Sequence, residues 1–323
     1  MITLSKIAAL AHVSVPTVSK AFSMSSEVNE KTREIIFDIA KKHGCFRKYY
    51  NAKYPKHVIA VICPEFKSRY YAGLLSRIQE KFFELNCEVS VASTDFSKST
   101  EEALFEYYSK YAPVDGIIMI DGSAELDSNI DIPVGAINSS RLKNTSVTVK
   151  MQYREVLSEA LDYFIESGAE SIGFIGESKT AKKADLFSEL LAEKTGSCDK
   201  RYISISDERF EKGGYEAMQK LIDTKNVPRA VVCAYDQVAI GAISCATENG
   251  LRVPENVAVI GYNDIPEAQY LNPPLASMDT NVEGAVEKLA EALIKGLNGI
   301  PVSEQVVIEA SLKLRKSAHI EKG

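Results

Sequence analysis

SKIAALAHVSVPTVSKAF, residues 5–22, is the stretch on which the reading of this chain turns. Leu4, Ile7, Ala8 and Ala11 recur at helical spacing, and Val15, Val18 and Phe22 do so again after a break of only three residues, His12-Val13-Ser14. Ser14 is placed to cap the second helix, and Pro16 falls in its first turn, where a missing amide hydrogen costs little. Val13 is the expected buried turn residue, packing with Ile7, Ala8 and Val18. Further on, Ile35, Ile36, Ile39 and Ala40 repeat the helical period before Gly44. The pattern predicts helices over 4–11, 15–22 and 30–43, the first two joined as a helix-turn-helix. The second then exposes Val15, Pro16, Thr17, Ser19 and Lys20, a set of small, methyl-bearing or hydroxyl side chains with one cation that suits a major groove. An ordinary three-helix bundle with a solvated basic face would share the spacing. Charge favours DNA: residues 1–57 carry ten Lys and Arg against four Asp and Glu, a net +6, which leaves −12 for the remainder of a chain whose total is −6. A basic head on an acidic body is expected to meet a polyanion through the head.

Working outward, 323 residues suggest two or three compact units, and 45% hydrophobic with 25% charged residues is an ordinary globular balance. No apolar run approaches the roughly 18 residues that span a bilayer, and the N-terminus does not resemble a signal peptide, so a cytoplasmic location without membrane contact is expected. Six scattered cysteines show no C-x-x-C spacing and read as small core residues, with no metal site. The four histidines, His12, His43, His57 and His319, lie at or beyond the edges of 58–318. Histidine-based acid–base chemistry is therefore not expected there, and the nucleotide and zinc-protease motifs are absent. No catalytic residue and no cofactor is assigned, and the chain is not expected to be an enzyme.

From Val58 short apolar runs alternate with amphipathic helices. The runs are VIAVIC (58–63), EVSVAS (88–93), GIIMI (116–120), IPVGAI (132–137), SIGFIG (171–176), RAVVCA (229–234) and NVAVIGY (256–262). Nearly all-apolar strands separated by helices argue for parallel sheets covered on both faces. Two such series, before and after about residue 150, predict an α/β body of two doubly wound parallel-sheet subdomains, with ligands at the carboxyl ends of the strands, in the cleft between the halves.

With these motifs in view, the chain resembles the lactose-repressor/galactose-repressor (LacI/GalR) family of bacterial transcription regulators. The residues that carry the likeness are TLSKIAALAHVSVPTVSK (3–20), VNEKTREII (28–36), GAESIGFIG (168–176), YDQVAIGAI (235–243), GLRVPENVAVIGYNDI (250–265) and PPL (273–275), in order over the whole length. The resemblance implies a helix-turn-helix DNA-binding domain over 1–46, a hinge or linker over 47–57, and a periplasmic-binding-protein-like effector and dimerisation domain over 58–323. Within that body the subdomains would be about 58–150 plus 280–308, and 151–279 plus 309–318. It implies a homodimer reading a pseudo-palindromic double-stranded operator, with its dimer face on helices such as 73–85 and 236–249. No heptad tail follows the last strand, so a dimer of dimers is not expected. Val15, Pro16 and Lys20 would face base edges with Thr17 and Ser19 near them, while Thr3, Ser5, Ser14, Asn29 and Lys31 would contact phosphate or cap helices. For the effector it implies Glu65, Phe66, Arg69, Tyr70 and Tyr71 after the first strand, Asp121 after the third, then Lys183, Tyr235, Asp236, Asn263 and Asp264.

The chain departs from the family pattern at several of these places. His12 stands at the usual turn glycine. In the hinge the family's minor-groove leucine is missing; gap-free counting puts Tyr54 at the wedge, and a slide by one puts Pro55 there. Both can act as apolar wedges. Lys183 replaces a sugar-gripping Arg and cannot supply its planar fork, and Tyr235 replaces an Asn. With no Trp in the chain, Tyr70, Tyr71 and Tyr235 are the candidates for stacking on a sugar. The second half looks most similar to the galactose/β-galactoside branch. The reading is a repressor switched by a small polar effector, a sugar. Control by a protein partner is the alternative, and a sugar-processing enzyme of similar fold is the third.

Overall fold

The structure is a computed structural model that describes residues 2–50, 56–139 and 141–320. The expected hinge wedge, Tyr54 or Pro55, lies outside the described residues.

The head contains α1 (Leu4–Leu10), α2 (Val15–Phe22), α3 (Glu30–Lys42) and the single turn α4 (Phe46–Tyr49). Each of the three longer helices starts on a side-chain cap: Thr3, Ser14 and Asn29 accept from the backbone N–H of Lys6, Thr17 and Thr32 at 3.4, 3.2 and 2.8 Å. All three also end alike. His12, Met24 and Gly44 follow their C-caps at φ +54, +57 and +64. In α1 the N–H of Val13 reaches the Ala8 carbonyl and that of His12 reaches Ala9, so the left-handed residue satisfies two carbonyls the helix leaves open. Ile7, Val18, Ala21, Phe22, Ile36 and Ala40 form the buried centre.

Tyr49 and Tyr50, at the start of the stretch expected to be hinge or linker, pack against this core. Phe46 and Tyr50 stack at 4.6 Å, Phe46 and Tyr50 both meet the edge or face of Phe37, and Tyr49 lies 5.5 Å from Phe22. Phe46 is buried and Tyr49 and Tyr50 are half-buried, and rings covered in this way add apolar contact to the head.

The first body unit carries β1 (His57–Cys63), α5 (Arg69–Glu84), β2 (Cys87–Ser93), α6 (Lys98–Lys110), β3 (Gly116–Ile120), the short β4 (Leu126–Asp127), β5 (Val134–Ile137), β6 (Leu142–Lys143) and β7 (Val147–Met151). The second carries α7 (Tyr153–Glu166), β8 (Ile172–Glu177), α8 (Ala181–Thr195), β9 (Ile203–Ser206), α9 (Phe210–Asp223), β10 (Ala230–Cys233), α10 (Asp236–Glu248), β11 (Ala258–Tyr262) and β12 (Ala276–Asp279). The chain then adds α11 (Val282–Leu297) and β13 (Glu304–Ile308) to the first sheet and β14 (Ser311–Lys313) to the second. Compact units fall at Met1–Lys67, Leu74–Lys150 and Glu283–Val306 for one, and Ser68–Gly73, Met151–Val282 and Val307–Gly323 for the other.

The sheet orders are β13-β7-β5-β3-β1-β2 and β14-β12-β11-β10-β8-β9. The ladders of β1 with β2 and β3, and of β8 with β9 and β10, are parallel, while β14 runs antiparallel to β12. Strands β3, β8, β10 and β11 are buried at every residue, which is why they read as continuous apolar runs. In each sheet the order reverses next to its first strand, between β1 and β3 and between β8 and β10. That switch point leaves a crevice at the carboxyl ends where a ligand can sit. Among the described residues no helix is long and apolar enough to cross a membrane.

Candidate functional sites

The head presents α2. Val15 is 40% exposed, Pro16, Ser19 and Lys20 are exposed, and Val18 and Phe22 on the opposite side are buried. The Ser14 and Thr17 hydroxyls share a hydrogen bond of 2.7 Å at the helix start. Lys20 Nζ is 2.5 Å from Glu27 Oε2, a partner on the α2–α3 loop. Ser5 and Lys31 are exposed, and Thr3 and Asn29 act as caps.

In the second unit, the switch point collects Glu177 at the end of β8, Tyr235 after β10 and Asn263 after β11. Glu177 is 1% exposed. Its Oε2 accepts from Lys179 N at 2.7 Å, and its Oε1 faces Arg209 Nε and the Tyr235 hydroxyl, both at 3.4 Å. Burial raises the Tyr235 phenol well above its usual range, and that hydroxyl accepts from Phe210 N at 3.1 Å. Lys183 Nζ donates to the Ala234 carbonyl at 2.9 Å and lies 4.0 Å from the centre of the Tyr262 ring and 4.9 Å from that of Tyr153. A cation between two ring faces is held electrostatically. Asn263 adopts φ +98, and its Oδ1 is buried without a hydrogen-bond partner among the described residues.

The segment Ser68–Gly73 belongs to this unit. Arg69 pairs with Glu211 at 3.1 Å and Glu267 at 3.7 Å, and its backbone N–H donates to Gln237 Oε1. The Tyr70 hydroxyl is 3.4 Å from Met151 Sδ, and its ring lies 5.2 Å from Tyr71.

Two of the expected ligand contacts have hydrogen-bond partners within the protein. Asp236 is fully buried: Oδ1 accepts from Ser277 Oγ at 2.6 Å and Oδ2 from Ile265 N at 2.8 Å. It braces the loop after β11 from below, with desolvation pushing its carboxyl up to about 7 against those two hydrogen bonds. Asp264 is bidentate to Arg315, at 2.6 and 3.2 Å, a partner fifty-one residues downstream.

In the first unit, Asp121 at φ +48 helps line a cavity of about 160 Å³ with Ile62, Pro64, Thr94, Phe96 and Glu101, at the ends of β1 and β3. Phe66 is 52% exposed, and Glu65 is buried.

Residues 3–46 match the family described as bacterial regulatory proteins, lacI family, and residues 161–318 match the periplasmic binding protein-like domain. A relative from Bacillus subtilis (strain 168), "Probable HTH-type transcriptional repressor ExuR", is 28% identical over 320 residues, covering 88% of each chain. The chain belongs to the LacI/GalR family of bacterial transcription regulators. Two solved structures share the fold of this LacI/GalR chain. One is a CelR–cellobiose complex, 24% identical with a TM-score of 0.67 over 98% of this chain and all of the other. The other is a lac repressor dimer bound to operator and the anti-inducer ONPF, 20% identical with a TM-score of 0.68 over 98% of both. As a member of the LacI/GalR family the chain is a DNA-binding transcriptional repressor and not an enzyme.

Sequence reasoning missed Glu177, Arg209 and Tyr262 in the LacI/GalR body. Glu177 carried a usable signal, a carboxylate closing an otherwise apolar strand at its carboxyl end. Arg209 carried none, since its partner is thirty-two residues away.

Proposed function

We propose that the chain binds a pseudo-palindromic operator as a homodimer and is switched by a small polyhydroxylated effector, a sugar, at the strand ends of its body. Asn263 is the observation that carries the effector reading. A buried carbonyl oxygen without a donor costs about 1–3 kcal/mol, and a ligand hydroxyl would relieve it. Lys183 with Tyr262, and Arg209 with Tyr235, are proposed as ligand contacts at the same strand ends. Phe66, Arg69, Tyr70, Tyr71 and Asp121 are proposed as further contacts. The CelR–cellobiose neighbour supports a sugar as the ligand class, and the operator-bound lac repressor dimer supports the DNA partner. On the head, Val15, Pro16, Thr17, Ser19 and Lys20 would read base edges, and Thr3, Ser5, Ser14, Asn29 and Lys31 would fix its register on phosphates. An effector that favours one body geometry shifts the population able to hold both half-sites.

The test is calorimetric titration of the full chain with galactosides, other mono- and disaccharides and sugar acids, followed by operator release. One class should bind and alter operator affinity, and Asn263→Ala and Lys183→Met should each weaken it roughly 10-fold or more. Binding that both variants leave unchanged would move the effector elsewhere.

A further inference from the structure

The loop between α2 and α3 is built firmly around one acidic residue. Met24 turns the chain at φ +57, and Ser25 N donates back to the Lys20 carbonyl at 2.9 Å. Val28 is buried, and Arg33 Nη2 donates to the carbonyls of both Ser25 and Val28 at 2.8 and 2.9 Å. Between these anchors Glu27 donates its N–H to Ser25 Oγ and extends its carboxylate to Lys20 Nζ, the only cation of α2. The two side chains remain 46% and 66% exposed. An exposed pair of this kind contributes little to stability.

Its consequence lies in recognition. A lysine is a flexible point charge that reaches whatever phosphate is near. Held by a carboxylate on a fixed loop, Nζ has its direction set and much of its charge answered, so a phosphate gains little from it. Guanine O6 and N7 remain good acceptors, and the carboxylate itself repels phosphate while it can accept from a cytosine amino group. We propose that Glu27 is a specificity-determining residue of the head, fixing Lys20 as a base-directed donor and keeping it from the backbone. This rests on α2 being the DNA-reading helix.

The experiment selects duplexes from a random pool with the full chain, then measures affinity against salt for wild type, Glu27→Gln, Lys20→Met and the double variant, with helicity as the folding control. Glu27→Gln should bind random duplex more tightly, steepen the log–log salt slope by about one per head, and lose roughly 10-fold preference at one base pair per half-site. Lys20→Met should lose the same preference, and the double variant should add nothing to it. A Glu27→Gln slope and preference both unchanged would overturn the proposal. So would a steeper slope with preference intact, which would make Glu27 a counter-charge only. A preference untouched by Lys20→Met would overturn it too, and would place the failure in the reading of α2 itself.

Discussion

His12 closes α1 in the left-handed region, at φ +54, with its side chain exposed. The backbone position is useful because it returns two N–H groups to α1, yet nothing in the packing requires the imidazole. A glycine would adopt the same conformation without the Cβ clash, at the cost of a more flexible unfolded chain. His12→Gly is expected to stabilise the head by roughly 0.5–1 kcal/mol, read as a higher midpoint for loss of its helical signal in denaturant. A lower midpoint would mean that the imidazole makes a contribution of its own. The caps at Thr3, Ser14 and Asn29 were legible because an N-cap and the backbone N–H that donates to it lie within three residues of each other. The roles of Phe46, Tyr49 and Tyr50 were not, because the rings they need, Phe22 and Phe37, are distant in sequence.

Among the elements, the junction of β11 and α10 shows how a buried charge is tolerated. Gly261 lies so close to Asp236 that a Cβ there would meet Oδ1 at 2.0 Å, so the strand has no side chain where the carboxylate sits. Two successive left-handed residues, Asn263 and Asp264, then wrap the backbone so that Ile265 N reaches Oδ2. Burial raises the Asp236 carboxyl to about 7, above its ordinary value near 4. The folded chain therefore holds a proton that the unfolded chain releases between these values. This contribution is complete below about pH 4 and is lost as pH rises through about 7. Thermal unfolding should accordingly move to lower temperature between pH 5 and pH 8, and Asp236→Asn should flatten that share of the slope. An undiminished slope in the variant would assign the pH dependence to other groups. The apolar strands themselves were plain in the sequence, since burial on both faces writes an unbroken run. The carboxylates were not, because whether Asp236 faces a ligand or a glycine is decided by a strand twenty-five residues away.

At the scale of the whole molecule, charge is divided between the head and the rest, +6 over residues 1–57 and −12 over the remainder. The net charge of the head then favours contact with phosphates, and the net charge of the remainder opposes it. In the proposed dimer two heads act together, so operator affinity should fall roughly 10³-fold or more between 50 and 200 mM salt. A protein beginning at His57 should hold no DNA at any salt while binding effector within about twofold of the full chain. The acidic body adds a second signature at the dilute end. At 0.1 M the screening length is about 10 Å, which hides most of the body from the duplex; at 0.01 M it is about 30 Å, and body and phosphates feel each other. A plot of log affinity against log salt should therefore flatten as salt is lowered. A line that stays straight would mean that the acidic surface faces away from the duplex, and DNA retention by the truncated body would end the assignment of recognition to the head.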